Sequence, residues 1–448
     1  MTKLPDVRKK YLADFAAFSG NGGSDVPPWL VELRSEAIEH FNRQGFPGSR
    51  DEQWRLTNFS RLKETDFCLA NGDRPPLNTD EVRKHLLTAG SDQRLVFVNG
   101  RYSEELSKNA GVPAGVVVTS MRQAIQDGLS SLQEHVARYA RPQDNPFTAL
   151  GTAFMSDGAF VHIPANVVLS EPIQLLFLTT GAAGPTVVHP RCLVLVEESG
   201  AASVVETHIG MTDGSYWSNV VTEAVVQDNA QLQVYRIQRE GGEASHTATT
   251  QSYQGRDSSF DLTTVELGSI LSRHDINAVL DGPGAECRLY GLSQLQGRQH
   301  VDHHTTIEHA QPHCNSWEYF NGIYDERSRG VFNGRIIVQQ GAQLTDSKQT
   351  NNNLLLSENA RADSQPQLEI YADDVKCTHG ATLGPIDERA LFYLQTRGIE
   401  AATARNLLTY GFGVEILDKI EISELRDRLD EVVRSRLDRG AEKRRAGS

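Results

Sequence analysis

The 448-residue sequence holds only five cysteines, Cys68, Cys192, Cys287, Cys314 and Cys377, and none stands close to another. Zinc fingers and ribbons need paired ligands about two to four residues apart, and a disulfide framework needs an even set, so both are excluded. Cys68, Cys192, Cys287 and Cys314 read as reduced, buried small hydrophobes. No run approaches the roughly 18 apolar residues of a membrane span. The charged stretch Met1 to Phe15 lacks the apolar core of a secretory signal, and a cytoplasmic protein with no membrane association is expected. Positive charge is also short: 44 Lys and Arg against 58 Asp and Glu leave a net −14, with the basic residues dispersed. That removes the electrostatic footprint of nucleic-acid binding. The glycine-rich Arg239-Glu240-Gly241-Gly242 is not followed by Lys-Ser or Lys-Thr. It reads as a polar turn rather than a phosphate loop, and no ATPase is expected.

What is present is the composition of an ordinary globular protein, 39% hydrophobic and 23% charged, long enough for two or three structural units. Residues 1–148 read as a helical, charged unit, with apolar spacing of three and four at Trp29, Leu30, Leu33, Ala37, Ile38 and Phe41. A strand-like piece, Arg94 to Asn99, interrupts it. Helix resumes over Ser120 to Tyr139, and Pro142 and Pro146 mark a junction.

From 149 to 384 short runs of Val, Ile, Leu, Thr and Tyr are broken by Gly, Asn, Asp and Pro, the texture of an all-β unit. A phrase recurs in which Gly, Asn or Asp precedes a small residue and then alternating positions. Its small residue stands at Ala201, Ala230, Ser258 and Ala285, steps of 29, 28 and 27, and again at Ala342 two steps later, with a degraded copy near Cys314. A fixed period of that length in a β region predicts a solenoid, each coil too small to bury its own apolar face. We expect a right-handed parallel β-helix, with a β-sandwich as the competing arrangement.

Residues 385–448 turn helical again. Asp387 opens a helix that buries Leu391, Phe392 and Leu394 and ends at Gly398; a second helix runs through Ala401, Leu407 and Leu408 to Gly411. A charged helix covers Ser423 to Leu437, and the basic tail from Gly440 is expected to fray. Helical units of this kind cap a solenoid and are free to dock partners.

Three stretches carry possible chemistry. In Lys376-Cys377-Thr378-His379-Gly380 an extended strand puts Cys377 and His379 on one face, a soft and a borderline ligand suited to iron or zinc. Two ligands are too few for a closed site, so a partner chain completes it or the pair is structural. A catalytic Cys/His pair needs a third orienting group that the sequence does not place. His300, His303, His304, His309 and His313 crowd together with Asp302, Glu308 and Cys314, either a metal cluster or a polar ladder; alternation sends His303 and His304 to opposite faces. Asn351-Asn352-Asn353 before Leu354-Leu355-Leu356 reads as a polar turn or an asparagine ladder.

The stretch from Asp302 to Phe412 resembles the shared core of the SufB/SufD family of iron–sulfur cluster assembly proteins. The resemblance rests on Phe332-Asn333-Gly334-Arg335-Ile336, on Gln349-Thr350-Asn351-Asn352-Asn353, on Leu368 through Thr382 and on Leu391-Phe392-Tyr393-Leu394-Gln395-Thr396-Arg397-Gly398-Ile399. Glu52-Gln53-Trp54-Arg55 and Ser156-Asp157-Gly158-Ala159-Phe160 extend it more weakly. The B-type's cysteine is missing from Gln349 to Leu356, while the D-type's Lys-Cys-Thr-His-Gly-Ala phrase is present as Lys376 to Ala381.

The resemblance implies a non-enzymatic D-type scaffold with no catalytic residues. It implies pairing with a SufB-type paralogue, docking of a SufC-type ABC ATPase through Leu391, Phe392, Leu407 and Leu408, and a homodimer in isolation. It also implies a transient iron–sulfur cluster at the paralogue interface, none being held by this chain alone, with His379 tied to iron supply or cluster formation and Cys377 as its weaker neighbour. Two other readings are a purely structural dimerisation partner and a β-helix polysaccharide enzyme, the latter expected to carry a secretion signal and a groove of paired carboxylates or arginines.

Overall fold

The computed structural model describes residues 7–20, 26–48, 50–70, 77–88, 92–181 and 184–446. Its centre is a parallel β-solenoid of two facing 11-stranded sheets. Successive strands alternate between the sheets, and each pairs in parallel with the strand one coil away. Ala201–Gly210, Gln231–Arg239, Ser259–Glu266, Glu286–Leu295, Asn315–Tyr324, Asp346–Leu355 and Lys376–Gly384 follow one another in one sheet. Tyr216–Val226, Ala244–Gln254, Leu271–Leu280, His300–His309, Arg329–Val338 and Arg361–Ile370 do so in the other. The sandwich alternative is thereby set aside.

The register explains the repeat and corrects its alignment. Gln231 pairs with Ser259, Ser259 with Glu286, Glu286 with Asn315, Asn315 with Asp346 and Asp346 with Lys376, steps of 28, 27, 29, 31 and 30 residues. Ala230, Ser258 and Ala285 are buried at the corner just before their strands, and Cys314 is the buried residue at the same corner of the coil that the phrase skipped. The other corner equivalents are Gly200 and Thr345, so the phrases at Ala201 and Ala342 are offset by one and by three residues. The later slip arises in the longest coil of the series, where Leu344 takes a left-handed turn (φ 60°) before the strand begins.

Alternation divides each strand into lumen-facing and outward residues. Val204, Leu232, Val234, Phe260, Leu262, Cys287, Leu289, Ile276 and Ala278 meet in one continuous apolar cluster along the lumen. Cys192, Cys287 and Cys314 are buried as expected, but Cys68 is exposed. On the two-residue strand Cys68–Leu69 it is Leu69 that turns to the core, leaving the thiol outside.

The N-terminal end of the solenoid is closed by antiparallel pairing: Val117–Ser120 on Ala159–Ile163, and Arg101–Tyr102 on Gln93–Val98, which itself lies in parallel against Ile173–Thr179. The expected strand near residue 94 is thus part of the solenoid wall. The helix Pro28–Gln44 buries Leu30, Ala37, Ile38 and Phe41, in accord with its apolar spacing. The stretch from Ser120 to Tyr139 forms two short helices, Met121–Gln126 and Ser130–His135, instead of one. Pro146–Ala153 is a fully buried helix capped by Asn145. The Glu52-Gln53-Trp54-Arg55 phrase clamps this region onto the solenoid: the Arg273 guanidinium lies 3.9 Å from the Trp54 ring centre and donates to the Gln53 carbonyl at 2.9 Å.

At the other terminus Glu388–Thr396, Ala401–Leu417 and Ser423–Ala446 form three helices. Phe392 is 68% exposed, against the expectation that it is buried. The helix that carries it is little more than two turns long and packs chiefly on the helix after it, so its second apolar flank faces outward. The second helix continues through Gly411 to Leu417, and the last runs to Ala446 where fraying was expected. Gly447 and Ser448 lie outside the described residues. Gly413 lets the second helix approach the solenoid, since a Cβ there would meet Ile323 Cδ1 at 3.3 Å. Gly413→Leu is therefore expected to cost about 1–3 kcal/mol by overpacking. Gly413→Ala should stay within about 1 kcal/mol, its better helix propensity offsetting the contact; urea unfolding of both variants measures the difference. No described helix is long and apolar enough to cross a membrane.

Candidate functional site

The final coil is built differently from those before it. Among the described residues Lys376–Gly384 pairs only with Asp346–Leu355, and Arg361–Ile370 only with Arg329–Val338, so each ends its sheet with one free edge. Pro366 sits in the latter, a position that proline tolerates at a sheet edge. The register places Cys377, His379, Ala381 and Leu383 beside Ser347, Gln349, Asn351 and Asn353. Those four neighbours are buried in the lumen. Cys377 and His379 thus face the same way, as strand alternation requires, and they face an open end. Leu383, Ile370 and Tyr371 are 58%, 40% and 60% exposed there.

His379 is exposed, while Cys377 is half-buried against the cluster of Ile336, Val338, Ala342 and Ala372. Burial, then the Asp346 carboxylate, raises the Cys377 thiol above its ordinary range. At neutral pH it remains a thiol, which disfavours a nucleophilic Cys/His pair. Among the described residues no further ligating side chain of this chain joins the two.

The lumen column that ends at His379 is polar. By register it runs from Glu318 to Gln349 to His379. Gln349 Nε2 donates to Glu318 Oε2, and burial pushes the Glu318 carboxyl up to about 7. The asparagines form ladders inside a strand and not a turn: Asn352 Nδ2 donates to Asn321 Oδ1 at 3.3 Å and Thr382 Oγ1 to Asn352 Oδ1 at 2.7 Å.

The histidine-rich stretch is divided by alternation. His303 and His309 point into the lumen, where the latter meets Ser316 Oγ at 2.9 Å. His300 meets Thr57 Oγ1 at 3.0 Å, His304 lies 3.2 Å from Asp302, and His313 sits in a left-handed turn. They do not converge on one ion. His303 instead meets Glu266 and His274 from preceding coils, a group that the linear sequence did not reveal because its members are brought together only by coil register. The Arg239–Gly242 piece is a turn between strands, though its Glu240 is buried and paired with His246 at 2.6 Å.

Family comparison bears on the same coils. A family model described as the SUF system FeS cluster assembly, SufBD core domain, matches residues 177–412, and one described as the SufBD protein N-terminal region matches residues 5–175. The chain belongs to the SufBD family. It is 36% identical to an iron–sulfur cluster assembly SufBD family protein of Synechocystis, over 91% of each chain. It is 30% identical to the iron–sulfur cluster assembly protein SufD of Escherichia coli, covering 90% of this chain and 92% of that one, and 25% identical to SufD of Bacillus subtilis, covering 96% and 98%. As a SufBD family protein it is an iron–sulfur cluster assembly component, which sets aside the polysaccharide enzyme. The SufBD core match spans the open coil with Cys377 and His379 and extends into the second C-terminal helix.

Proposed function

We propose that this SufBD family protein is a D-type scaffold subunit of the cytoplasm, without catalytic activity of its own, whose open solenoid end pairs with a B-type paralogue. The observation that carries the reading is the pair of free strand edges with Ile370, Tyr371 and Leu383 exposed beside them. Parallel edges of this length are normally blocked by charge, by a bulge or by another chain, and the opposite end of this solenoid is already closed. Strand addition across the edge that holds His379 would bring a partner's ligands to His379 and Cys377. The two-ligand count fits a site completed in that way, with an iron–sulfur cluster as transient cargo. In isolation the same edge would support a homodimer.

The SufC-type ATPase docks, on this reading, on the C-terminal helices. Phe392 and Leu407 are exposed there, with Tyr393 beside them, whereas Leu391 is half-buried and Leu408 packs on the solenoid-facing cluster. Co-expression with the B-type subunit and the ATPase tests both parts. His379→Ala should leave the complex assembled and lower its iron–sulfur absorbance and bound iron several-fold, while Leu383→Glu with Ile370→Glu should prevent assembly. Unchanged cluster content in His379→Ala would make this chain a structural partner only.

A further inference from the structure

Inside the solenoid, away from the open end, one stretch of the lumen is ionic. Glu206, Glu240 and Glu266 are three carboxylates whose side chains are at most 1% exposed, and Arg236 is the guanidinium placed among them, 2.6 Å from Glu266 and 3.3 Å from Glu206. His208 and His246 each hold a carboxylate, Glu206 at 2.7 Å and Glu240 at 2.6 Å. Three carboxylates thus share one guanidinium here, in an interior where uncompensated charge is costly.

There Glu266 of one sheet and His274 and His303 of the facing sheet bring one donor atom each within 4.8 Å of the others, and all three residues are buried. His274 and His303 are register partners on adjacent coils, and Glu266 ends the strand that leads through a short turn to His274's strand. The two imidazoles are oriented but not satisfied. His274 uses Nε2 on Thr250 Oγ1 at 2.8 Å, while its Nδ1 and His303 Nε2 have no hydrogen-bond partner among the described residues. Glu266 keeps Ser272 Oγ on Oε2 at 3.1 Å.

We propose that Glu266, His274 and His303 form a buried site for a divalent first-row metal ion. Two imidazole nitrogens and one carboxylate are a borderline donor set that suits Zn²⁺ or Fe²⁺ and leaves positions open for water or a further ligand. Thr250 and Ser272 act as the outer hydrogen-bond partners that fix ligand orientation. The ion adds positive charge where carboxylates outnumber guanidinium groups, and Arg236 can remain paired with Glu206. Metal–ligand bonds near 2.0–2.2 Å put two ligands of one ion at most about 4.4 Å apart, a span comparable with the 4.8 Å within which these donors lie.

This site is separate from Cys377 and His379 and does not depend on their role. The test uses the full chain carrying Cys377→Ser and His379→Ala, expressed in medium supplemented with zinc or with iron, followed by elemental analysis of the purified protein. One equivalent of metal is expected to be retained, and His303→Gln in the same background should weaken retention by at least about tenfold. In crystals of the unaltered chain grown from zinc-supplemented cells, an anomalous peak is expected among the three side chains, a readout that does not require the variant to fold. Retention equal in the His303→Gln chain, no metal in the parent, or an anomalous peak only elsewhere would overturn the proposal. The zinc and iron arms separately identify which ion the site takes.

Discussion

Glu223→Ala is expected to remove about 4 kcal/mol of folding stability, close to a thousandfold in the folding equilibrium. Glu223 and Arg191 have fully buried side chains that pair at 2.6 Å. The same carboxylate accepts from the backbone N–H groups of Ala137 at 2.8 Å, Tyr139 at 3.0 Å and Ala140 at 2.9 Å. Arg191 donates further to Thr152 Oγ1 at 2.9 Å and to the Ala140 carbonyl at 3.3 Å. One ion pair therefore fastens the left-handed turn at Ala137 (φ 59°) and the buried helix Pro146–Ala153 to two solenoid strands. Alanine would strand the guanidinium in the interior and leave three amides without an acceptor. Urea unfolding followed by circular dichroism measures the loss. The double change Glu223→Leu with Arg191→Met should be less damaging than Glu223→Ala, because removing both charges avoids the unpaired one. A single-variant loss below about 1 kcal/mol would count against this account.

The second large effect concerns Glu318 and has the opposite sign. Its carboxyl titrates near 7 in the folded chain, against an ordinary value of 4.5, because burial outweighs the amide of Gln349. The folded state thus holds a proton that the unfolded chain releases once pH passes 4.5. Stability is undiminished below that pH and falls as pH rises toward 7. Above that it is lower by about 3 kcal/mol, since each pH unit between the two titrations costs roughly 1.4 kcal/mol. Glu318→Gln keeps the shape and an acceptor for Gln349 without the ionisation. The variant should be more stable than the native chain by about 3 kcal/mol near pH 8 and equal to it near pH 4. Urea titrations at the two pH values decide: parallel pH profiles for both proteins would mean that Glu318 is not the group responsible.

Much of the architecture was legible because it is written locally. The corner residues Ala230, Ser258 and Ala285 recur because each coil repeats one demand, a small side chain where the chain turns into a strand. Strand alternation placed Cys377 with His379 and parted His303 from His304 without any knowledge of the fold. The errors fell where a local signal meets a non-local choice. Phe392 lies on an apolar helix flank, but the flank does not say whether the solenoid or solvent lies opposite. Cys68 looked like a buried hydrophobe because burial follows from which neighbour a two-residue strand finds.

The sequence by itself determined a solenoid of fixed period between helical ends, membership suggested by the phrases around Asn351 and His379, and a strand that presents Cys377 and His379 on one face. Only the tertiary structure decided which coil is last, and hence that those two residues face an uncovered end; it alone brought Glu266, His274 and His303 together. The physical reason is the nature of stacking. Period and alternation depend on the dihedrals and side chains of one coil, whereas register and capping depend on which coils lie above and below.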